Sequence, residues 1–315
     1  GDYTHEASDN DGLWTALYLA AESFRYAATG DEEARAFAKE SALALCRLES
    51  VTPVSGLMAR AVVAKGEDVL KSSGEWHNSP DGQWEWKGDC SSDELDGDYF
   101  ALAVYWDLAA DDEGRQAVYG TIERLTDHLL NNGYFLVDVD GEPTTWGFFA
   151  PEWLNVTRED QRGLNSLEML AYLAAARHIC GHQRYEEHYW RLVEQHHYAL
   201  NIINQKILWP NDVNFSDDEL AFCVYYPLLT YEKHPRLRQL YLLSFERQWQ
   251  AVRAERCPLW NFMYGALTGK LCDIEESVRT LAEMPLDLVT WRMTNSDRTN
   301  VDFDDRFGLF GGVQS

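Results

Sequence analysis

Residues 74 to 106 read GEWHNSPDGQWEWKGDCSSDELDGDYFALAVYW, and the change of character within them decides the fold. The first half is polar and carries Trp76, Trp84 and Trp86; the second runs apolar on every side as far as Trp106. A helix without a polar face belongs inside an assembly of other helices. Ser91-Ser92-Asp93-Glu94 opens this one as a capping box, in which Glu94 reaches back to the cap. Between Glu75 and Asp98 stand eight carboxylates (Glu75, Asp81, Glu85, Asp89, Asp93, Glu94, Asp96, Asp98) against a single cation, Lys87.

The same pattern recurs along the chain. Residues 8 to 50 give a buried helix, LWTALYLAAESFRYAA, then an amphipathic one with Ala34, Phe37, Ala38, Leu45 and Leu48 on one stripe. Residues 93 to 110 are followed by RQAVYGTIERLTDHLLNN, which Gly133 ends. LNSLEMLAYLAAARHI pairs with RYEEHYWRLVEQHHYALNIIN, and DDELAFCVYYPLLTYE with PRLRQLYLLSFERQWQAV. A shorter fifth pair joins WNFMYGALT to residues 273 to 283. Tyr134 to Phe149 alternates around an Asp140-Gly141 turn and predicts an inserted β-hairpin. The connection 51 to 90 reads as irregular, and the tail from about residue 286 as loop. The expectation is one all-α domain over residues 1 to 315, an (α/α) toroid or barrel of five to six helical hairpins with one β-hairpin inserted at about 134 to 149.

Composition excludes several classes. A formal charge of −25 with no basic run argues against nucleic acid, which is bound by Lys and Arg displacing phosphate counterions. No apolar stretch reaches the roughly 18 residues that span a bilayer. The six cysteines are too sparse for a disulfide scaffold and none stands in CxxC spacing. A GxSxG elbow and a phosphate-binding glycine loop are both missing. Acidity, twelve tryptophans and the sequons at Asn155 and Asn214 lean towards a secreted or periplasmic protein.

Acids collect where the inner helices begin: Asp11, then Asp93 and Glu94, then Glu168 after Arg162-Gly163-Leu164-Asn165, then Asp217-Asp218-Glu219. The positive end of each helix dipole favours them there, by roughly 0.3 to 1 kcal/mol apiece. Capping accounts equally well for some. Asn165 with Glu168, and Ser216 with Glu219, have the spacing of further capping boxes, and Asp11-Gly12 is ordinary turn chemistry. Asp93 and Asp218 lie between cap and third helical position, where capping asks for no acid. His182, His188, His196 and His197 fall on an outer helix and read as a solvated face. Asp89, Asp93, Asp96 and Asp98 keep calcium open as a ligand, although the run does not fit a calcium-binding loop; no other cofactor is expected.

Carboxylates beside large aromatic rings suit carbohydrate chemistry, with rings to stack on sugars and acids to protonate or activate. The motif set DNDGLW, WKGDCSSDE, RGLNSLE, SDDEL and WNFMYG, spread over residues 8 to 284, resembles the six-hairpin glycosidase superfamily and a group of bacterial secreted proteins. That resemblance implies an α/α toroid with acids and aromatics at one pole. The expected function is a glycoside hydrolase acting on an oligosaccharide or polysaccharide, with Asp93 or Glu94 as general acid, Asp218 as general base and Asp11 in reserve. Substrate contacts are expected from Trp14, His77, Trp84, Trp86, Asp89, Trp146, Trp153, Arg162, Trp260, Asn261 and Tyr264. A uronate lyase and a non-catalytic binding module are the alternatives.

Overall fold

The computed structural model describes residues 5–206 and 215–284. The protein is mostly helical. Helices α1 (Asp11–Thr29) and α2 (Glu32–Ser50) make the first hairpin, and α3 (Ser92–Leu108) and α4 (Asp112–Asn131) the second. A single turn, α5 (Pro151–Leu154), leads into the third, α6 (Arg162–Cys180) with α7 (Gln183–Glu194) and the short α8 (Tyr198–Asn201). The fourth is α9 (Phe215–Tyr231) with α10 (Pro235–Val252), and the fifth α11 (Pro258–Thr268) with α12 (Ile274–Glu283). Helices α1, α6 and α11 end at Gly30, Gly181 and Gly269, each in the left-handed conformation that glycine adopts without a Cβ penalty.

Burial follows the inner and outer division. From Glu94 to Tyr105 every residue of α3 is buried, and α6 is buried continuously from Gly163 to Ala176. Helices α2 and α4 bury one stripe each, as an amphipathic helix with one face in water does. Helix α3 packs on α1, α6 and α9, and α6 packs on α9, so three inner helices are in mutual contact. The approach of α1 to α3 is close because Gly97 has no side chain: a Cβ there would stand 2.9 Å from the Ala16 Cβ and 3.1 Å from the Leu13 Cα.

The inserted hairpin lies where alternation placed it, with β6 (Phe135–Val137) antiparallel to β7 (Pro143–Phe148) and Phe135 opposite Phe148. The connection that reads as irregular is ordered instead. It holds a three-stranded antiparallel sheet in which Trp84–Lys87 runs between Val62–Ala64 and Trp76–Asn78, and Glu6–Ala7 pairs in parallel with Leu70–Lys71. The third outer segment is broken where His197 takes a left-handed φ of 60°. The expected tail from residue 286 and the sequon at Asn214 lie outside the described residues. No described helix is long and apolar enough to cross a membrane.

Candidate functional site

Side-chain contacts tie the start of α1 to that of α3, the middle of α6 to the start of α3, and the start of α9 to α11. The Asn10 amide, preceding α1, donates to Asp93 Oδ2 at 3.3 Å. The Tyr172 hydroxyl of α6 donates to Asp96 Oδ1 at 2.5 Å and lies 3.4 Å from the Ser92 carbonyl, joining α6 to α3. Phe215 of α9 meets the Trp260 ring of α11 at 5.7 Å.

Asp93 is the hub among these helix starts. Its charge raises the proton affinity of Glu94 and Asp96 on its own helix, Glu168 on α6 and Glu219 on α9. Asp93 and Glu219 are half-buried, while Glu94, Asp96 and Glu168 are fully enclosed. Burial pushes the Glu94 carboxyl up to about 7 and holds Asp96 well above the usual carboxylate range. Glu168 is raised by burial first and then by the charges of Asp93 and Asp217, and Asp96 by burial first and then by the Glu168 charge, so each of the two disfavours ionisation of the other. The Glu168 and Asp96 carboxyls lie against each other, with the Ser92 side chain beside Glu168. Glu219 is raised by burial first and by Asp93 second, and accepts no hydrogen bond from a described residue.

Cations near these starts serve other acids. Arg60 donates to the Asp9 carbonyl at 2.7 Å and the Asn10 amide oxygen at 3.0 Å, and lies 3.7 Å from Glu94. Lys87 pairs with Asp9. Lys206 binds Asp218 at 2.9 Å.

The expected site residues divide into those at these helix starts and those holding the fold. Glu94 accepts from the Ser91 hydroxyl at 2.7 Å and amide at 3.2 Å, completing the capping box. Asp218 is buried and accepts from Lys206 and Gln248, forming an internal ion pair with Lys206. Its neighbour Glu219, which sequence spacing assigned to a cap, is raised by burial first and by the Asp93 charge second. Asn165 and Glu168 do not cap either, because α6 already begins at Arg162; the Asn165 amide donates to the Phe148 carbonyl at 2.9 Å. Asp11 accepts from the Ser8 amide and hydroxyl, a local turn. Asp89, at a positive φ of 51°, accepts from the Thr145 amide at 2.7 Å and so fastens the β-hairpin to the start of α3.

Among the aromatics, Trp14, Trp146 and Trp153 are exposed, Trp14 by 46%. Trp84 is half-buried beneath the Arg47 guanidinium, and Trp86 is enclosed with the His77 ring tilted by 31° at 4.5 Å from it. Trp260, Asn261 and Tyr264 are buried: Asn261 accepts from Trp249 Nε1 at 2.8 Å and Tyr264 stacks on Trp249 at 3.8 Å. Arg162 stands half-buried at the first turn of α6. The histidines of the third outer segment do more than meet water, since His182 contacts Glu123 at 2.7 Å and His188 the Tyr134 hydroxyl at 2.7 Å. No group of three or more potential metal ligands is assembled among the described residues.

Neither a protein-family model nor a curated protein matches the chain.

Proposed function

We propose that the chain is a carbohydrate-active protein, a glycoside hydrolase whose helical hairpins form an α/α toroid and whose reacting carboxylates are Asp93 and Glu219. The observation that supports this reading is the placement of two half-buried acids on different helices, α3 and α9, close enough for one to raise the proton affinity of the other. Such a pair divides the labour that glycoside hydrolysis needs. Glu219, favoured in its protonated form by burial and by the Asp93 charge, donates to the glycosidic oxygen. Asp93, hydrogen-bonded by Asn10 and open to solvent on one side, serves as the opposing carboxylate. Trp14 and Trp146 offer rings for stacking, at the start of α1 and on the hairpin that Asp89 ties down. A uronate lyase is less well supported, because Arg60 and Lys206 are already engaged by acids and the remaining acids repel a polyanion. Export is the setting that suits a polysaccharide substrate.

Incubation with a panel of oligosaccharides, scored for new reducing ends and for the ultraviolet absorbance of unsaturated uronates, separates hydrolase from lyase. Asp93→Asn and Glu219→Gln should each lower turnover by about 100-fold or more while leaving the melting temperature in place. Full turnover in both variants, or no product from any glycan, would overturn the proposal.

A further inference from the structure

The last hairpin carries its apolar residues on its open side. Helix α12 packs on α11 through Ser277, which is enclosed and accepts from the Asn261 amide at 2.9 Å. Ile274, Val278 and Leu281 stand at the spacing that marks a buried stripe on an amphipathic helix, yet they are 58%, 55% and 52% exposed. Leu271, just before the helix, and Met284, just after it, are exposed as well. Outer helices α2 and α4 do the reverse: α2 buries Ala38, Leu45 and Leu48, and α4 buries Ile122, Leu125 and Leu129. A lone exposed apolar residue is ordinary, but a stripe of them along one helix marks a surface that something covers.

We infer that the cover is the chain's own continuation, residues 286–293, laid back along the Ile274, Val278 and Leu281 stripe of α12. Residues 285–315 lie outside the described residues, and the first of them read PLDLVTWRM. Leu286, Leu288, Val289, Trp291 and Met293 make this segment as apolar as the stripe it meets. Its place in the chain is what selects it. Met284 is extended, with ψ 124°, as a residue before proline is, so the helix stops at Glu283 and the chain is free to turn back. Running the length of ten-residue α12 takes about 15 Å, and eight residues reach about 26 Å. A segment tethered so closely is present at an effective concentration on the order of millimolar. A second copy of the chain is the weaker occupant, because at a net charge of −25 two copies repel, and exposed Glu275 and Glu283 on α12 add to that. The segment brings Arg292 to the same acids. This inference stands apart from the carbohydrate reading.

Limited digestion of the full chain with trypsin, followed by mass spectrometry, tests it, since Arg292 lies within the covering segment while Arg298 and Arg306 lie beyond it. Cleavage of a segment that opens and recloses tracks its open fraction, so a cover loosened by a buried charge shows directly as a faster cut. Val278→Asp and Leu281→Asp should each speed cutting at Arg292 by about tenfold or more. The double variant Leu288→Asp/Val289→Asp, which leaves α12 untouched, should do the same. Val278 and Leu281 are more than half exposed, so the variants keep the fold, which circular dichroism and a melting curve verify. Unchanged cutting at Arg292 in all the variants, or acceleration by the α12 variants alone, would overturn the inference. Sedimentation at low and high protein concentration addresses the other occupant. The parent should remain a monomer throughout, and a dimer that Val278→Asp dissolves would overturn the inference in favour of a second copy.

Discussion

Replacing Glu94 with glutamine should change how stability depends on pH without disturbing the fold. Glu94 is fully enclosed, and its carboxyl is pushed up to about 7 by burial first, with the Arg60 guanidinium and the Ser91 hydrogen bonds opposing and the Asp93 charge adding. In the unfolded chain the same group titrates near its ordinary value of 4.5. Below that value both states are protonated and the group is neutral to stability. Between it and about 7 the unfolded chain has lost the proton while the folded one keeps it, so stability falls as pH rises. Above about 7 the loss is complete, and at 1.36 kcal/mol for each pH unit of displacement it amounts to about 3 kcal/mol. Glutamine does not titrate, and its side-chain oxygen can still accept from the Ser91 hydroxyl and amide. Asp98, also enclosed and pushed up in part by Glu94, shifts the difference further in the same direction. Urea unfolding of both proteins at pH 4.5, 6, 7 and 8 checks this. The variant should differ least from the parent at pH 4.5 and be about 3 kcal/mol the more stable of the two by pH 8. Parallel curves would show that Glu94 is ionised in the folded protein, and the account of the enclosed acids would fall with it.

Asp218→Asn should behave in the opposite manner to the Asp93 and Glu219 variants. By taking the carboxylate from enclosed Lys206 it should cost about 3 kcal/mol in a melt or urea titration, yet leave the turnover of the folded fraction at the parent level; lost turnover with an unchanged melt would return Asp218 to the reaction. Gly97→Ala should destabilise by about 1 to 3 kcal/mol, because the added methyl meets Ala16 and the Leu13 backbone where α1 crosses α3; an unchanged urea midpoint would mean that the two helices are not so closely seated.

The helical pairs were legible because continuous apolar runs and striped ones alternate in the chain, and because glycines mark several helix ends. The β-hairpin was legible from its Asp140-Gly141 turn. The sheet before α3 was not, since strands such as Trp76–Asn78 and Trp84–Lys87 are too short for a period of two to stand out among polar residues. At the site, sequence pointed to the helix starts and could not choose among adjacent acids. Successive residues on a helix differ by about 100° in direction, and only the packing of α9 against α3 and α10 sets Glu219 under the Asp93 charge and Asp218 against Gln248. Tryptophans gave the least guidance: Trp84 and Trp86 share one strand, yet Trp86 is closed off by His77 while Trp84 keeps part of its ring open.

The mutual contact of α3, α6 and α9 has a consequence for how the protein comes apart. In an array where each repeat touches only its neighbours, unfolding can start at an end and travel inward one unit at a time. Here α3 of the second hairpin also rests on α9 of the fourth, so losing either exposes the apolar surface of both and of α6 between them. These three helices therefore exchange their amide hydrogens only by opening together, whereas α12, which packs chiefly on α11, can fray alone. The acids proposed to do the chemistry all begin on the helices that cannot loosen singly, so the spacing between them is kept for as long as the molecule is folded at all.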